Sequence, residues 1–372
     1  MIRSYKYRIY PSHAQETLLE NWLNLCCELY NAGLQERRDA YRIARKTIAY
    51  KDQQNQLPEI KAIRPELGMI HSQVLQDVLK RLDKAFAAFF RRVKRGEKPG
   101  FPRFHSRARY NSFTFSQSGF AIESGKLKLS KVGRVKIKLH RPIQGRIKTL
   151  SIKRIGAGKW FACFSVEVEP QPLPESTEVV GIDMGLKSFA VLSTGEVIDN
   201  PKFFRAEERR LAKAQKKLSA AAKGSPERAK RRKAVAHVYE RITSKRRDFA
   251  HKLSHYLVTR FGIIVFEDLN IREMLKNPCL AKSIADAAWN QTIQFTAYKA
   301  ENAGRLEVEV NPRGTSKTTA CCGKTVDISL SDRVIHCPEC HSVTDRDWNA
   351  SLNILSLGLQ TLGLRPKEAV SF

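Results

Sequence analysis

Residues 180–185 read Val-Gly-Ile-Asp-Met-Gly, an apolar run that ends in a carboxylate and then a turn-forming glycine. A second run, Ile-Val-Phe-Glu-Asp at 264–268, ends in the same way. A third acidic string, Asp-Arg-Asp-Trp-Asn-Ala at 345–350, follows a cysteine pair and leads into a helix-like segment. Short apolar runs bounded by turn signals predict buried strands, so Asp183 and Glu267 are predicted at strand ends.

Each of these carboxylates has an ordinary explanation when taken alone. An Asp after an apolar strand is most often a turn residue or a helix cap, and Asp345 is predicted at or near a helix start. Three separated carboxylates that a fold brings together have another use, because Mg²⁺ prefers oxygen ligands of this kind. A pair of such ions supports phosphodiester hydrolysis. The strings therefore indicate a two-metal hydrolytic site.

The charge of the chain suits that substrate. It carries 66 Lys and Arg against 37 Asp and Glu, a formal net charge of +29 over 372 residues. So large a surplus favours a polyanionic partner, and nucleic acid is a better fit than a membrane. No apolar stretch reaches the roughly 18 residues of a membrane span. The amino terminus resembles a strand rather than a signal peptide, so we expect a cytoplasmic protein.

Hydrophobic periodicity divides the chain into four regions. Residues 3–10 alternate as a strand, and residues 12–93 show the three- and four-residue apolar spacing of helices. Short alternating runs with glycine turns follow to about residue 169 and predict a small antiparallel barrel. After a proline-rich linker, strands and helices alternate, which predicts an α/β domain. Its helices over 204–260 are rich in Lys and Arg.

Four of the eight cysteines are clustered near the carboxyl-terminal end, at Cys321, Cys322, Cys337 and Cys340. In a long chain that is not predicted to be secreted, such a cluster indicates a metal site before a disulfide framework.

The three acidic strings resemble the RuvC-type nuclease motifs of the TnpB family, which are transposon-encoded, RNA-guided DNA endonucleases related to type V CRISPR effectors. Further matching segments lie at 100–104, 126–131 and 245–253, so the resemblance covers nearly the whole chain. It implies an RNase H-like domain of RuvC type over residues 173–372. It also implies that Asp183, Glu267 and Asp345 form a catalytic triad that binds two Mg²⁺ ions.

The resemblance implies the remaining domains and partners as well. A wedge β-barrel would comprise residues 1–11 and 100–172, with a helical recognition domain inserted at 12–99. A zinc finger would be inserted at 311–344. The partners would be a guide RNA from the transposon end and double-stranded target DNA next to a transposon-associated motif, with base pairing reading the sequence. We expect a monomer rather than a dimer.

Several residues are candidates for contact with nucleic acid. The segments at Gln76 and at Phe115, Ser116 and Gln117 match places where relatives touch the transposon-associated motif. Ordinary polar surface would explain them equally well. The basic helical region adds Lys245, Arg246 and Arg247 as expected contacts with the guide and its target.

The predicted finger departs from the family pattern of two Cys-x-x-Cys knuckles. The second knuckle, Cys337 to Cys340, is intact, whereas Thr319 stands at the first position of the other. A threonine hydroxyl is a poor zinc ligand beside thiolates. Cys321 could supply the fourth sulfur through a shifted loop, or His336 or His341 could supply a nitrogen. We expect Zn²⁺ to bind with lowered affinity.

Three functions are compatible with these features. The first is an RNA-guided, Mg²⁺-dependent DNA endonuclease of an insertion-sequence element. The second is a repressor of the same fold that binds DNA through a guide and no longer cuts. The presence of Asp183, Glu267 and Asp345 favours the enzyme. The third is a transposase acting on transposon ends, against which the resemblance argues.

Overall fold

The computed structural model describes residues 1–329 and 332–364. Two compact units divide the chain, residues 1–168 and residues 169–372. The last eight residues of the predicted nuclease domain, 365–372, lie outside the described part. Each unit is built around its own sheet.

The first unit is built on a seven-stranded antiparallel sheet that forms a nearly closed barrel. Its order is β2-β6-β7-β1-β5-β4-β3. The predicted barrel is therefore confirmed, and alternate residues of each strand fill its core, as Tyr5, Tyr7 and Ile9 do in β1. The strands are β1 (Ile2–Tyr10), β2 (Ser112–Phe115), β3 (Phe120–Glu123), β4 (Lys126–Leu129), β5 (Gly133–Lys138), β6 (Arg146–Arg154) and β7 (Trp160–Glu167).

Helices occupy the chain between β1 and β2, as the apolar spacing predicts. They are α1 (His13–Ala44), α2 (Tyr50–Asn55), α3 (Leu57–Ile63), a 3₁₀ helix (Pro65–Met69) and α4 (Ser72–Lys94). A capping box of Ser12 and Gln15 begins α1. The buried ring of Trp22 packs on Phe113 and Phe115, so α1 and the barrel share one core.

The second unit contains a five-stranded mixed sheet, whose strands are β8 (Val179–Met184), β9 (Ser188–Leu192), β10 (Val197–Asp199), β11 (Ile263–Glu267) and β12 (Leu306–Val310). Their order in the sheet is β10-β9-β8-β11-β12. The first three strands of this unit, β8 to β10, are antiparallel, and β11 and β12 lie parallel to β8. A separate antiparallel pair is formed by β13 (Val334–His336) and β14 (Val343–Asp345).

Helices cover both faces of this sheet. They are α5 (Phe203–Ala220), α6 (Pro226–Arg260), α7 (Ile271–Met274), α8 (Ala281–Ala287), α9 (Trp289–Ala303) and α10 (Arg346–Thr361). Ile182 and Phe266 face a core shared with α6 and α9. The alternate residues Gly181 and Val265 face α10 on the other side.

Two glycines allow α10 to lie directly on the sheet. A Cβ built at Gly181 would lie 2.2 Å from the Ser351 carbonyl oxygen and 2.5 Å from the Leu355 nitrogen. On the helix side, a Cβ at Gly358 would lie 2.4 Å from Cγ2 of Val265. Neither position has room for a methyl group, so these two contacts fix the height and register of α10 over β8 and β11.

We therefore predict that Gly181→Ala destabilises the second unit by about 1–3 kcal/mol, because the methyl group overpacks a backbone contact that has no side chain to move. Gly68→Ala is a suitable control, since Gly68 has an ordinary backbone conformation and open space around it. Urea unfolding measures both. Equal stability of the two variants would contradict the close approach of α10.

Candidate active site

Asp183 and Glu267 lie next to each other on the face of the sheet that α10 covers. They belong to adjacent parallel strands, in which Ile182 pairs with Phe266. Burial and the neighbouring Glu267 carboxylate raise the pKa of Asp183 to about 8. Burial also raises the pKa of Glu267, although a hydrogen bond of 2.5 Å donated by the Thr315 hydroxyl acts in the opposite direction. The structure thus brings together two of the three predicted carboxylates.

The third carboxylate comes from the start of α10, where two candidates stand close together. Asp345 is the N-cap of the helix, and its Oδ1 accepts hydrogen bonds from the backbone nitrogens of Asp347 (2.9 Å) and Trp348 (3.0 Å). After burial and Glu267, the carboxylate that most raises the pKa of Asp183 is Asp347, and Asp345 contributes less. Asp347 therefore has the larger electrostatic effect on Asp183.

Sequence reasoning missed Asp347 as a candidate site residue. The signal was present, because the acidic string carries a second Asp two residues after the first. The sequence does not show which Asp caps the helix. In the structure Asp345 is the cap, and its side chain points back to the backbone of the first turn of α10. The Asp347 carboxylate is held from one side by the Arg346 guanidinium at 2.9 Å.

The chemistry of the donor set suits a divalent cation, whereas among residues 1–329 and 332–364 the group of three or more ligands whose atoms already converge within 4.8 Å is that of the four cysteines. The carboxylates that raise the pKa of Asp183 repel it when both are ionised, and a hard cation among them would remove that repulsion. All of the candidate ligands are oxygens, which suits Mg²⁺. Strands β8 and β11 hold two of them on a rigid support, and α10 supplies the third.

Hydrogen bonds fasten the segment after β12 to one side of α10, through the buried Asn349 and the half-buried Asn353. Asn349 accepts from the Ala320 nitrogen at 2.8 Å and donates to the Thr318 carbonyl at 2.7 Å. One turn later, Asn353 donates to the carbonyls of Thr315 (2.8 Å) and Thr318 (2.6 Å). Since Thr315 also holds Glu267, these hydrogen bonds join the finger segment to the carboxylate site.

The four clustered cysteines converge in the structure. The sulfurs of Cys321, Cys322, Cys337 and Cys340 all lie within 4.8 Å of one another. Tetrahedral zinc with bonds of about 2.3 Å needs four sulfurs at similar mutual distances. Backbone N–H groups of Cys340 and Glu339 lower the pKa of the Cys337 thiol to about 6, which favours the thiolate that a metal requires. The cluster could therefore hold a metal such as zinc.

Thr319 has a structural role beside this cluster. Its side chain is buried, and its hydroxyl accepts a hydrogen bond from the Lys324 nitrogen at 3.0 Å. The hydroxyl lies 3.9 Å from the Cys337 sulfur, inside the finger. Within residues 1–329 and 332–364, the ligand atoms that converge here are the four sulfurs, and neither His336 nor His341 joins them.

The basic residues predicted for the helical region differ in what they contact. Lys245 donates to the buried Glu207 at 2.9 Å, and Arg246 donates to the buried Asp286 at 2.6 Å. These two ion pairs hold α6 to neighbouring helices of the same unit. Arg247 is exposed, and its Nε lies 3.4 Å from the His251 ring nitrogen. Arg247 is thus the member of this trio best placed to reach a ligand.

The residues predicted to contact the motif beside the target lie close together, but one of them, Phe115, is buried. Gln73 on α4 accepts hydrogen bonds from the nitrogens of Gln117 (3.0 Å) and Ser118 (2.9 Å), which brings Gln117 beside the start of the helix that carries Gln76. Gln117 is exposed, and Gln76 and Ser116 are half-buried. The Phe115 side chain is completely buried, so the expectation of a direct contact is wrong for that residue.

Fold and site together define a class of strongly basic α/β proteins with a carboxylate cluster suited to divalent cations. A family model described as "Probable transposase" matches residues 163–278, and one described as "Cas12f1-like, TNB domain" matches residues 289–354. A model described as "Helix-turn-helix domain" matches residues 1–46, which here form β1 and the single helix α1.

Full-length relatives agree with these matches. A protein of Streptomyces pristinaespiralis described as "Putative RNA-guided DNA endonuclease" is 38% identical over 99% of this chain and 93% of its own length. A similarly described protein of Escherichia coli (strain K12) is 28% identical over 96% of this chain and 92% of its own. The chain belongs to the TnpB family.

A solved Cas12f1–sgRNA–target DNA complex aligns with 95% of this chain and 99% of its own chain, at 15% identity and a TM-score of 0.38. Among the residues that the structure describes, no helix has the length and apolar character needed to cross a membrane.

The raised pKa of Asp183 predicts a pH-dependent stability for the metal-free protein. The folded state keeps a proton on Asp183 up to about pH 8, whereas the unfolded state loses it near the ordinary value of 3.8. The stability that this proton provides is therefore lost as the pH rises from 3.8 to about 8. Asp183→Asn should stabilise the protein by about 1–3 kcal/mol more at about pH 8 than at about pH 4.

Urea unfolding of both proteins in a chelating buffer measures this difference. Added Mg²⁺ should reduce it, because the cation replaces the proton in wild type. The same Asp183→Asn effect at both pH values would contradict the repulsive cluster.

Proposed function

We propose that this protein is an RNA-guided DNA endonuclease of an insertion-sequence element that cuts target DNA beside a transposon-associated motif with the help of Mg²⁺. The observation that carries the proposal is the position of Asp183 beside Glu267. Both Glu267 and a further carboxylate from α10 raise the pKa of Asp183. Relatives that align with nearly the whole chain are named for this activity.

The topology of the second unit supports a RuvC-type nuclease domain. In order of occurrence, its strands are arranged 3-2-1-4-5, with an antiparallel meander followed by two parallel strands. This is the arrangement expected of an RNase H-like sheet. Carboxylates at the ends of the central strands and at the start of the last helix then meet on one face.

We assign the third carboxylate to Asp347 and the capping role to Asp345. The cap occupies Oδ1 of Asp345 with two backbone N–H groups, whereas Asp347 exerts the stronger effect on Asp183. When bound, Mg²⁺ would activate water and neutralise the charge that develops at the scissile phosphate. The chain itself contributes the rigid placement of Asp183 and Glu267 and, through Thr315, the orientation of Glu267.

The proposed partners are a guide RNA from the transposon end and double-stranded target DNA. The net charge of +29 suits both, since Lys and Arg neutralise backbone phosphates. The predicted contacts that the fold leaves accessible are the exposed Arg247 in the second unit and, in the first unit, Gln76, Ser116 and Gln117. The alternative of a non-cutting repressor has no support in the site, where every candidate carboxylate is present.

We further propose that zinc stabilises the finger at 311–344 through Cys321, Cys322, Cys337 and Cys340. In this assignment Cys321 replaces the sulfur that Thr319 lacks, and Thr319 instead fills the interior and fixes the turn to Lys324. The finger is tied to α10 through Asn349, so an intact finger supports the position of the helix that carries Asp347.

The zinc assignment predicts about one Zn²⁺ per chain in protein purified without chelators. Cys321→Ser should lower the zinc content and the thermal stability, because it removes one of four ligands. Cys279→Ser is the matched control, since Cys279 is an exposed cysteine of the same unit outside the cluster. Elemental analysis that finds no zinc in the wild-type protein would refute the assignment, as would a normal zinc content in Cys321→Ser.

The catalytic assignment predicts that Asp183→Ala abolishes DNA cleavage and leaves RNA binding intact. Asp347→Asn should lower cleavage by about 100-fold or more, as expected when a metal ligand loses its charge. Asp345→Asn should stay within a few-fold of wild type, because Asn is an equally good N-cap.

A plasmid-cleavage assay with the guide RNA measures all three variants, and RNA retention on the purified protein controls for folding. Loss of cleavage in Asp345→Asn with normal cleavage in Asp347→Asn would reverse the two roles. Normal cleavage by Asp183→Ala would refute the carboxylate site.

A further inference from the structure

The far end of the α1–α4 helix pair carries an aromatic patch that the core does not absorb. It consists of Phe86, Phe89, Phe90 and Phe101, whose rings contact one another, and of Phe104, which follows Phe101 on the same loop. The ring centroid of Phe101 lies 5.6 Å from that of Phe86 and 5.4 Å from that of Phe89, and Phe89 and Phe90 are 5.1 Å apart. Three rings remain open to solvent, with exposures of 59% for Phe90, 46% for Phe101 and 48% for Phe104.

The apolar stripe of α4 predicts that Phe86, Phe89 and Phe90 belong to the helix core, and the structure contradicts this for Phe90, which is exposed. The fully buried positions of α4 stop at Leu82. Beyond that point the helix extends past the core, and the segment after it folds back so that Phe101 lies on the half-buried rings of Phe86 and Phe89. Exposed aromatic clusters of this kind commonly mark binding surfaces.

The patch is held rigidly in place. Asn31 of α1 accepts a hydrogen bond from the His105 nitrogen at 2.9 Å and donates to its carbonyl at 2.8 Å, which anchors the loop that carries Phe101 and Phe104. Beneath it, the buried Arg37 guanidinium lies 5.2 Å from the Phe86 ring centre and donates to Asp83 at 3.1 Å. A ligand would therefore meet a preformed surface and would not have to order a loose one.

The surroundings of the patch are strongly basic. Residues 38–46 and 89–104 together contain ten Lys and Arg and two acidic residues, Asp39 and Glu97. The Arg38 guanidinium lies 5.5 Å from the Phe104 ring centre. The two acidic residues make exposed ion pairs of 3.5 and 3.8 Å, which are weak and leave most of the positive charge unbalanced.

The exposed rings and the positive charge around them indicate which kind of ligand the patch binds. Exposed aromatic faces surrounded by Lys and Arg suit unpaired nucleotides, whose bases stack while their phosphates are neutralised. A duplex hides its base faces, whereas RNA loops present unstacked bases that proteins recognise by stacking on aromatic rings. A second copy of the chain would bring two basic surfaces together and is disfavoured by repulsion.

We propose that this aromatic patch binds unpaired bases of the guide RNA by stacking, an inference that rests on the proposed RNA-guided function. Phe90 and Phe104 are the principal stacking platforms, because their rings are the most exposed of the five. Arg38 and the basic residues at the end of α4 neutralise the adjacent phosphates. The site belongs to the first unit alone and needs no contribution from the carboxylate site.

The test uses the full chain and labelled oligouridine RNA of about 20 nucleotides, which exceeds the length that one such site covers. The double variant Phe90→Leu, Phe104→Leu should bind it about 5- to 100-fold more weakly than wild type, because leucine keeps apolar contact but cannot stack. Trp at both positions should restore the affinity. Ile63→Ala, which changes an exposed apolar residue of the same unit outside the patch, should bind normally.

Further measurements distinguish unpaired RNA from the other possible ligands of the patch, which are DNA, paired RNA and a second copy of the chain. Fully paired RNA should show little dependence on the two rings, because a duplex hides its base faces. Single-stranded DNA of the same length, whose bases can also stack, should depend on the two rings no more strongly than RNA does. Sedimentation should find the same mass for wild type and double variant. Unchanged RNA affinity in the Leu variant, an effect confined to DNA, or a change in mass without a change in RNA affinity would each overturn the proposal. If the wild-type protein binds no RNA, the proposed guided function fails first, and the two failures are therefore distinguishable.

Discussion

The contact between α10 and the backbone of β8 determines the rest of the second unit. Gly181 and Gly358 remove the side chains that would otherwise hold the helix away from the sheet, so α10 rests on β8 and β11 directly. Its first turn is thereby brought to the ends of the two strands that carry Asp183 and Glu267. Asn349 and Asn353 extend the same arrangement to the finger segment. A carboxylate cluster results from residues that are far apart in sequence because one helix fits closely against one sheet.

Buried carboxylates that repel one another destabilise the folded state. Burial and like charges hold Asp183 in its protonated form to about pH 8, which means that the folded chain keeps an arrangement that favours a cation over water. The Thr315 hydroxyl bond and the Arg346 guanidinium compensate part of this repulsion. In the proposed function, a bound divalent ion would relieve the remainder. Stability without metal and chemistry with metal therefore depend on the same few side chains.

Sequence patterns predicted the strands, the long helices and the positions of Asp183 and Glu267, because strand ends are set by local apolar runs. They could not separate Asp345 from Asp347, since that choice depends on which side chain caps α10 and which faces β8. The fourth sulfur of the finger depends likewise on a loop path near Thr319. The burial of Phe115 follows from strand alternation, whereas the exposure of Phe90 depends on where α4 leaves the core, which its apolar stripe does not reveal.

The most direct test of the account is the position of bound metal. Crystals of the protein soaked with Mn²⁺, a substitute for Mg²⁺ that can be located by anomalous scattering, should show density among the carboxylate oxygens of Asp183, Glu267 and Asp347, with Asp345 still capping α10. Density elsewhere, or an occupied site from which Asp183 or Glu267 is missing, would contradict the claim that α10 and the two strands together build a cation site.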